Sequence, residues 1–114
     1  MNEKDAKIEV YAEQLSIQMR KGFLAYCVLK VCSNGPKYTS DIINELFKAE
    51  MVVVEGTIYP LLSKLQKDGL LSHEWQESEQ GPPRKYYTVT EYGRGVAEYT
   101  SKKIIALNTT LGKL

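Results

Sequence analysis

The sequence predicts a mainly α fold with one small β-hairpin, in the order helix, helix, helix, strand, strand, helix. Three observations lead there. Apolar residues recur at three- and four-residue steps in several separate stretches, an alternating stretch rich in aromatic and β-branched residues precedes the last of them, and breaks bearing Gly or Pro interrupt the chain between elements. At 114 residues, with 43% hydrophobic and 25% charged side chains, the chain has the size and composition of one ordinary globular domain.

In the first helix Ile8, Ala12, Leu15, Met19, Phe23 and Tyr26 follow one another at helical spacing, and Leu24, Cys27, Val28 and Val31 continue on an adjoining face. The pattern runs to about Cys32, with Gly22 as a point of weakness. Ser33-Asn34-Gly35-Pro36 stops it, because Gly and Asn accept the left-handed closing conformation and Pro cannot extend a helix. Thr39 or Ser40 is the expected cap of a short second helix that buries Ile42, Ile43, Leu46 and Phe47 and ends near Glu50. Met51-Val52-Val53-Val54 is too short to be more than a connection. A third helix over about Glu55 to Asp68 buries Ile58, Leu61, Leu62 and Leu65, stops at Gly69, and should bend at Pro60.

Leu70 to Gln76 alternates, and Tyr86 to Val89 is aromatic and β-branched, so these form the hairpin. Glu77 to Pro83 between them is polar and rich in turn formers, and is expected to project as a flexible loop. Trp75, Tyr86 and Tyr87 are expected to pack between hairpin and helices. Thr90 caps a last helix in which Val96, Thr100, Ile104, Leu107, Leu111 and Leu114 form a seam like that of a coiled coil. Three helices followed by a hairpin is the winged helix-turn-helix plan. Residues 1–90 then form that unit together with the N-terminal helix, and residues 91–114 a C-terminal dimerisation helix, the whole being one compact domain.

No apolar run approaches the roughly 18 residues of a membrane span, and the polar start Met1 to Asp5 has no apolar region behind it, so a cytoplasmic protein without a membrane partner is expected. Cys27 and Cys32, five residues apart on one helix, point about 140° from each other. They can neither pair nor share an ion from that segment, and read as packed thiols of a reducing compartment. The net charge of +1 and pI near 7.7 lend no support to nucleic-acid binding, so local distribution must carry it. Gly56 to Lys67 holds Lys64 and Lys67 and no acid, Gly81 to Val89 holds Arg84 and Lys85 and no acid, and Glu74, Glu77 and Glu79 lie between.

Gly56-Thr57-Ile58-Tyr59-Pro60-Leu61-Leu62-Ser63-Lys64-Leu65, Lys67-Asp68-Gly69-Leu70-Leu71, Trp75, Gly81-Pro82-Pro83-Arg84-Lys85-Tyr86-Tyr87 and Thr90-Glu91-Tyr92-Gly93 stand in a specific order and spacing. In them the chain closely resembles the PadR family of bacterial transcriptional regulators, with a looser similarity back to about Ile17. Many members begin the second helix with a Gly-Tyr-Glu-Ile pattern, whereas this chain has Thr39-Ser40-Asp41-Ile42. The resemblance implies a dimeric repressor that binds a roughly palindromic operator and is released by a small molecule or another signal. The short C-terminal helix resembles the compact branch, some members of which bind planar aromatic or hydrophobic compounds at the dimer centre.

Mainly on that resemblance, Thr57, Tyr59, Ser63, Lys64 and Lys67, on the side of the third helix away from its apolar stripe, are the candidates for the DNA major groove. Arg84 and Lys85 are candidates for phosphate or minor-groove contact from the hairpin, opposed by Glu77 and Glu79. Ile8, Leu15 and Met19 would be covered by Ile104, Leu107 and Leu111 of a second copy, setting two recognition helices about one DNA turn, roughly 34 Å, apart. Tyr11, Met19, Phe23, Tyr26, Tyr92 and Tyr99 are candidates for lining an effector cavity. The single histidine, His73, has no Cys or acid at ligand or triad spacing, and there is no Gly-rich phosphate loop, so no enzyme, metal or cofactor is expected. The alternative reading is a winged-helix module for protein contacts without sequence-specific DNA binding.

Overall fold

The computed structural model describes residues 2–114. In chain order these form α1 (Glu3–Cys32), β1 (Lys37–Tyr38), α2 (Thr39–Lys48), α3 (Glu55–Lys67), β2 (Leu71–Ser78), β3 (Gly81–Val89) and α4 (Glu91–Leu111). The strands make one antiparallel sheet in the order β1-β3-β2. No helix among the described residues is long and apolar enough to cross a membrane.

The core is built from one end of α1 only. Val28, Leu29 and Cys32 pack with Ile42 and Leu46 of α2, Ile58, Leu62 and Leu65 of α3, Leu71, Tyr87 and Val89 of the sheet, and Ala97 of α4. Burial there pushes the Cys32 thiol up to about 12, so it stays neutral and packs as a small apolar group. Residues 3–23 of α1 contribute no buried side chain and project from this core. The molecule therefore measures 54 × 32 × 24 Å, with a radius of gyration of 17.0 Å. A compact chain of this length would have a radius of about 13 Å.

Local chemistry sets the ends of the elements. The Asn2 side chain accepts from the Asp5 N–H at 2.8 Å and opens α1, which runs through Gly22 without a break. Thr90 Oγ1 accepts from the Gly93 N–H at 2.9 Å and opens α4, as its sequence position suggests. The start of α2 differs from expectation. Tyr38 is its N-cap, Asp41 Oδ2 accepts from the Tyr38 N–H at 3.0 Å, and Thr39 is buried in the first turn rather than capping it. Phe47 also departs from the expected stripe and is 64% exposed, because the core contacts Ile42 and Leu46 and the helix ends one residue later at Lys48. Helix α3 continues through Pro60 to Lys67.

Helices α2 and α3 close in the same way. The N–H groups of Gly69 and Leu70 donate to Gln66 and Leu65 at 3.0 and 2.9 Å, and those of Glu50 and Met51 donate to Phe47 and Leu46 at 2.9 and 2.8 Å. Each motif needs a left-handed residue, and α3 supplies Gly69 at φ 82° where α2 uses Glu50 at φ 66°. A side chain at that φ costs roughly 1 kcal/mol. Glu50→Gly is therefore expected to raise stability by somewhat less than that, since glycine also loosens the unfolded chain, and a urea midpoint equal to or below wild type would contradict it.

The hairpin is longer than the sequence suggested. Residues 77–83, expected as a flexible loop, lie mostly in strands: Ser78 is in register with Gly81, leaving only Glu79 and Gln80 at the tip. The next registered pair is Gln76 with Arg84, so Pro82 and Pro83 of β3 share the interval with Glu77 alone, an irregularity that absorbs two residues unable to donate to the ladder. Strand β1 was not foreseen; it pairs Lys37 with Tyr87 and Tyr38 with Tyr86. Tyr87 is buried and Tyr86 half-buried, but Trp75 is 64% exposed near the hairpin tip and does not pack on the helices as expected.

Candidate nucleic-acid interface

Helix α3 buries Ile58, Leu62 and Leu65 and turns its other side outward. All five residues singled out there, Thr57, Tyr59, Ser63, Lys64 and Lys67, are exposed. Gly56 and Pro60 share this outer side and are exposed too. Gly56 offers no side chain, and Pro60 has no N–H to give to the Gly56 carbonyl four residues back. Lys64 Nζ lies 3.0 Å from Asp68 Oδ2, an exposed i,i+4 pair worth only a few tenths of a kcal/mol that a phosphate could displace. Lys67 makes no ion pair among the described residues.

Two of these residues border separate concavities. Tyr59 faces the hairpin and lines a groove of about 400 Å³ with Tyr38, Thr39, Trp75, Gln80, Pro82, Pro83, Arg84 and Lys85. Thr57 lies on the opposite flank, where it borders a separate apolar hollow with Ile17, Leu24 and the Met51–Val54 connection. Helix α3 and the hairpin thus meet through Tyr59, and Thr57 is on the far side of that junction.

Strand alternation sends the two wing cations to opposite faces of the sheet. Lys85 shares a face with Trp75, His73 and Tyr87, its Nζ standing 6.0 and 5.4 Å from the Trp75 and Tyr87 ring centres. His73 lies on this face edge-on to Trp75 at 6.0 Å, and its Nδ1 has no hydrogen-bond partner among the described residues. Arg84 takes the other face, with its guanidinium carbon 4.7 Å from the centre of the Tyr38 ring. Tyr38 and Gln80 were not among the residues the sequence singled out. The first belongs to the unforeseen β1, and the second to a tip whose register only the folded hairpin reveals. Taken together, the arrangement offers hydroxyl, amide and cationic groups along a helix and an adjoining projection, suited to a long polyanion.

The dimerisation candidates sit elsewhere. Met19 and Leu107 are each 70% exposed, Ile8, Leu15 and Leu111 are exposed as well, and Ile104 is half-buried. Within one chain these two apolar rows leave each other largely uncovered. The effector candidates are not gathered either: Phe23 and Tyr26 are neighbours with ring centres 6.3 Å apart, Tyr26 lines a concavity between α1 and α4, Tyr11 borders another near the start of α1, and Tyr92 and Tyr99 stand exposed on α4. No group of three or more His, Cys, Asp or Glu among the described residues could hold a metal ion.

Residues 28–99 match the model of the transcriptional regulator PadR-like family, a span from the buried end of α1 through the wing into α4. The chain is similar to the X-ray structure of a PadR-like transcription factor from Bacteroides fragilis, with 47% identity, 88% of this chain and 97% of that one covered, and a TM-score of 0.77. A PadR family transcriptional regulator from Eggerthella lenta superimposes over 95% of both chains with a TM-score of 0.84 at 27% identity. A PadR-like transcriptional regulator from Bacillus cereus does so over 84% of this chain and 94% of that one, with a TM-score of 0.74 at 35% identity. No curated protein matches the sequence.

Proposed function

This chain belongs to the PadR-like family of transcriptional regulators, and from that membership we propose that it is a cytoplasmic homodimeric repressor of a roughly palindromic DNA operator. Family membership supports DNA-binding regulation. One observation supports the particular face: Tyr59 of α3 and Arg84 and Lys85 of the wing border a single groove, so a helix residue and the two wing cations are within reach of one ligand. In this reading α3 enters the major groove, with Tyr59 and Ser63 toward base edges and Lys64 and Lys67 toward phosphates, while Arg84 and Lys85 hold the flanking backbone.

The two uncovered apolar rows on α1 and α4 support a second copy as their cover, with residues 91–114 as the dimerisation element. A planar apolar effector between the subunits, near Phe23, Tyr26 and Tyr99, would release the DNA by altering the spacing of the two α3 helices. A screen of such compounds for loss of DNA binding tests that part separately.

Selection from a pool of randomised duplexes, followed by fluorescence anisotropy at two salt concentrations, tests the main reading. A palindromic consensus should emerge and bind more weakly at higher salt, because neutralising phosphate releases counterions. Arg84→Ala should lower affinity at least roughly fivefold across sequences and, being made in both subunits, reduce the salt slope by about 2. Lys64→Ala should cost less, since its ammonium is shared with Asp68. Absence of any enriched duplex together with salt-independent association would overturn the reading.

A further inference from the structure

We propose that Tyr38 is a positioning residue for DNA contact, its ring holding the Arg84 guanidinium and so tying the wing to the start of α2. The proposal rests on the DNA-binding reading above and names what aims the wing.

Arg84 is exposed and makes no ion pair among the described residues, and Gln76, not an acid, stands opposite it in register. A long side chain so placed would sample many rotamers if nothing held it. What holds it is the Tyr38 ring, 4.7 Å from the guanidinium carbon. An arginine can stack its flat face on an aromatic ring and still present N–H edges in its own plane to a phosphate. The tyrosine is itself immobilised. Its ring leans on Tyr86 with centres 5.9 Å apart, and its Cα pairs with Tyr86 in the sheet. Its backbone N–H donates to Asp41 Oδ2 at 3.0 Å, inside the first turn of α2.

Tyr38 is thus at once the last rung of β1 and the N-cap of α2. A cation resting on it is fixed relative to the helix-turn-helix rather than to the hairpin tip, which could otherwise swing. Lys85, on the opposite sheet face, stands instead over Trp75 and Tyr87, both residues of the hairpin. Ordering Arg84 before DNA arrives removes part of the cost of ordering it on binding.

The test measures binding of the duplex recovered by selection to wild type, Tyr38→Phe, Tyr38→Leu, Arg84→Ala and the Tyr38→Leu/Arg84→Ala double variant, each checked by thermal melting. Tyr38→Leu should weaken binding about fivefold and Tyr38→Phe less than about twofold, because the ring face and not the hydroxyl makes the contact. In the Arg84→Ala background Tyr38→Leu should add nothing. Arg84→Lys leaves β1 and α2 untouched if the leucine variant folds poorly, and should still bind about threefold more weakly than wild type. Without DNA, the Arg84 side-chain protons should show an upfield ring-current shift that survives in Tyr38→Phe and vanishes in Tyr38→Leu.

Additive losses in the double variant, equal losses for Phe and Leu, wild-type affinity for Arg84→Lys, or an unshifted Arg84 resonance each overturn the positioning role while leaving DNA binding intact. Failure of wild type to bind any duplex at low salt overturns the DNA-binding reading, and this role with it.

Discussion

Gly93→Ala should destabilise the protein by about 3 kcal/mol or more, a large part of the roughly 5–15 kcal/mol that holds a domain of this size. A Cβ on Gly93 would come within 2.2 Å of the Leu70 carbonyl oxygen and 2.7 Å of Val89 Cγ2. No rotamer of alanine avoids a backbone oxygen, so the start of α4 would have to move. It has little room, because Thr90 gathers four elements at this point. Its N–H donates to the Leu70 carbonyl at 3.1 Å, its hydroxyl reaches the Gly69 carbonyl at 2.7 Å, and the same oxygen accepts from Gly93. Shifting α4 would therefore break the part-buried hydrogen bonds that join it to the end of α3 and the start of β2. Gly95→Ala is the control: it lies in the same helix, a Cβ there meets nothing within 4 Å, and alanine's better helix propensity should leave stability unchanged or raise it by up to about 1 kcal/mol. Urea midpoints for the two variants within error of each other would contradict the close-packing argument.

Leu107→Glu should give a monomer with operator affinity at least about a hundredfold weaker. Leu107 lies on α4 with 70% of its surface uncovered and Leu111 a turn further on, facing no core of its own chain. In a two-fold dimer every substitution is made twice, so two buried leucines are lost and two carboxylates are placed in an apolar seam. The loss reaches DNA because a dimer's second half-site engages at an effective concentration set by its tether, worth about 10² to 10⁴ in affinity, and a monomer has none of it. Sedimentation equilibrium and anisotropy on the same samples check both halves. An unchanged mass, or a monomer that binds as tightly as wild type, would refute the expectation.

Helix positions were readable wherever a local rule decides them. Ile42 and Leu46, Ile58, Leu62 and Leu65 sit at spacings that only a helix aligns, and Thr90 caps α4 with its own hydroxyl, a contact three residues long. The outward side of α3 followed from the same periodicity. What depends on partners distant in sequence was not readable. Lys37–Tyr38 is too short to alternate and becomes a strand only because Tyr86 and Tyr87 lie alongside it. Gly81-Pro82-Pro83 reads as a break, since proline cannot complete a ladder, yet β1 ends before these residues and the irregularity at Glu77 takes up the mismatch. Phe47 follows Ile43 at helical spacing, and only the placement of α1 and α3 around α2 decides that it faces out. The division of Thr57 from Tyr59 has the same cause, as the neighbours of α3 differ on its two flanks.

The paired prolines of β3 have a consequence for self-association. Strand β3 has neighbours on both sides only where β1 runs alongside it, and from Arg84 outward one edge is open. An open edge of this kind ordinarily invites a strand from another molecule, the first step toward aggregated sheets. Pro82 and Pro83 both lie in this stretch, and neither nitrogen can donate to a strand laid against it. An incoming strand would find a missing rung, followed by a charged Arg84 already engaged with an aromatic ring. The open edge of the wing is thereby a poor template for a strand from another molecule, whatever the protein concentration.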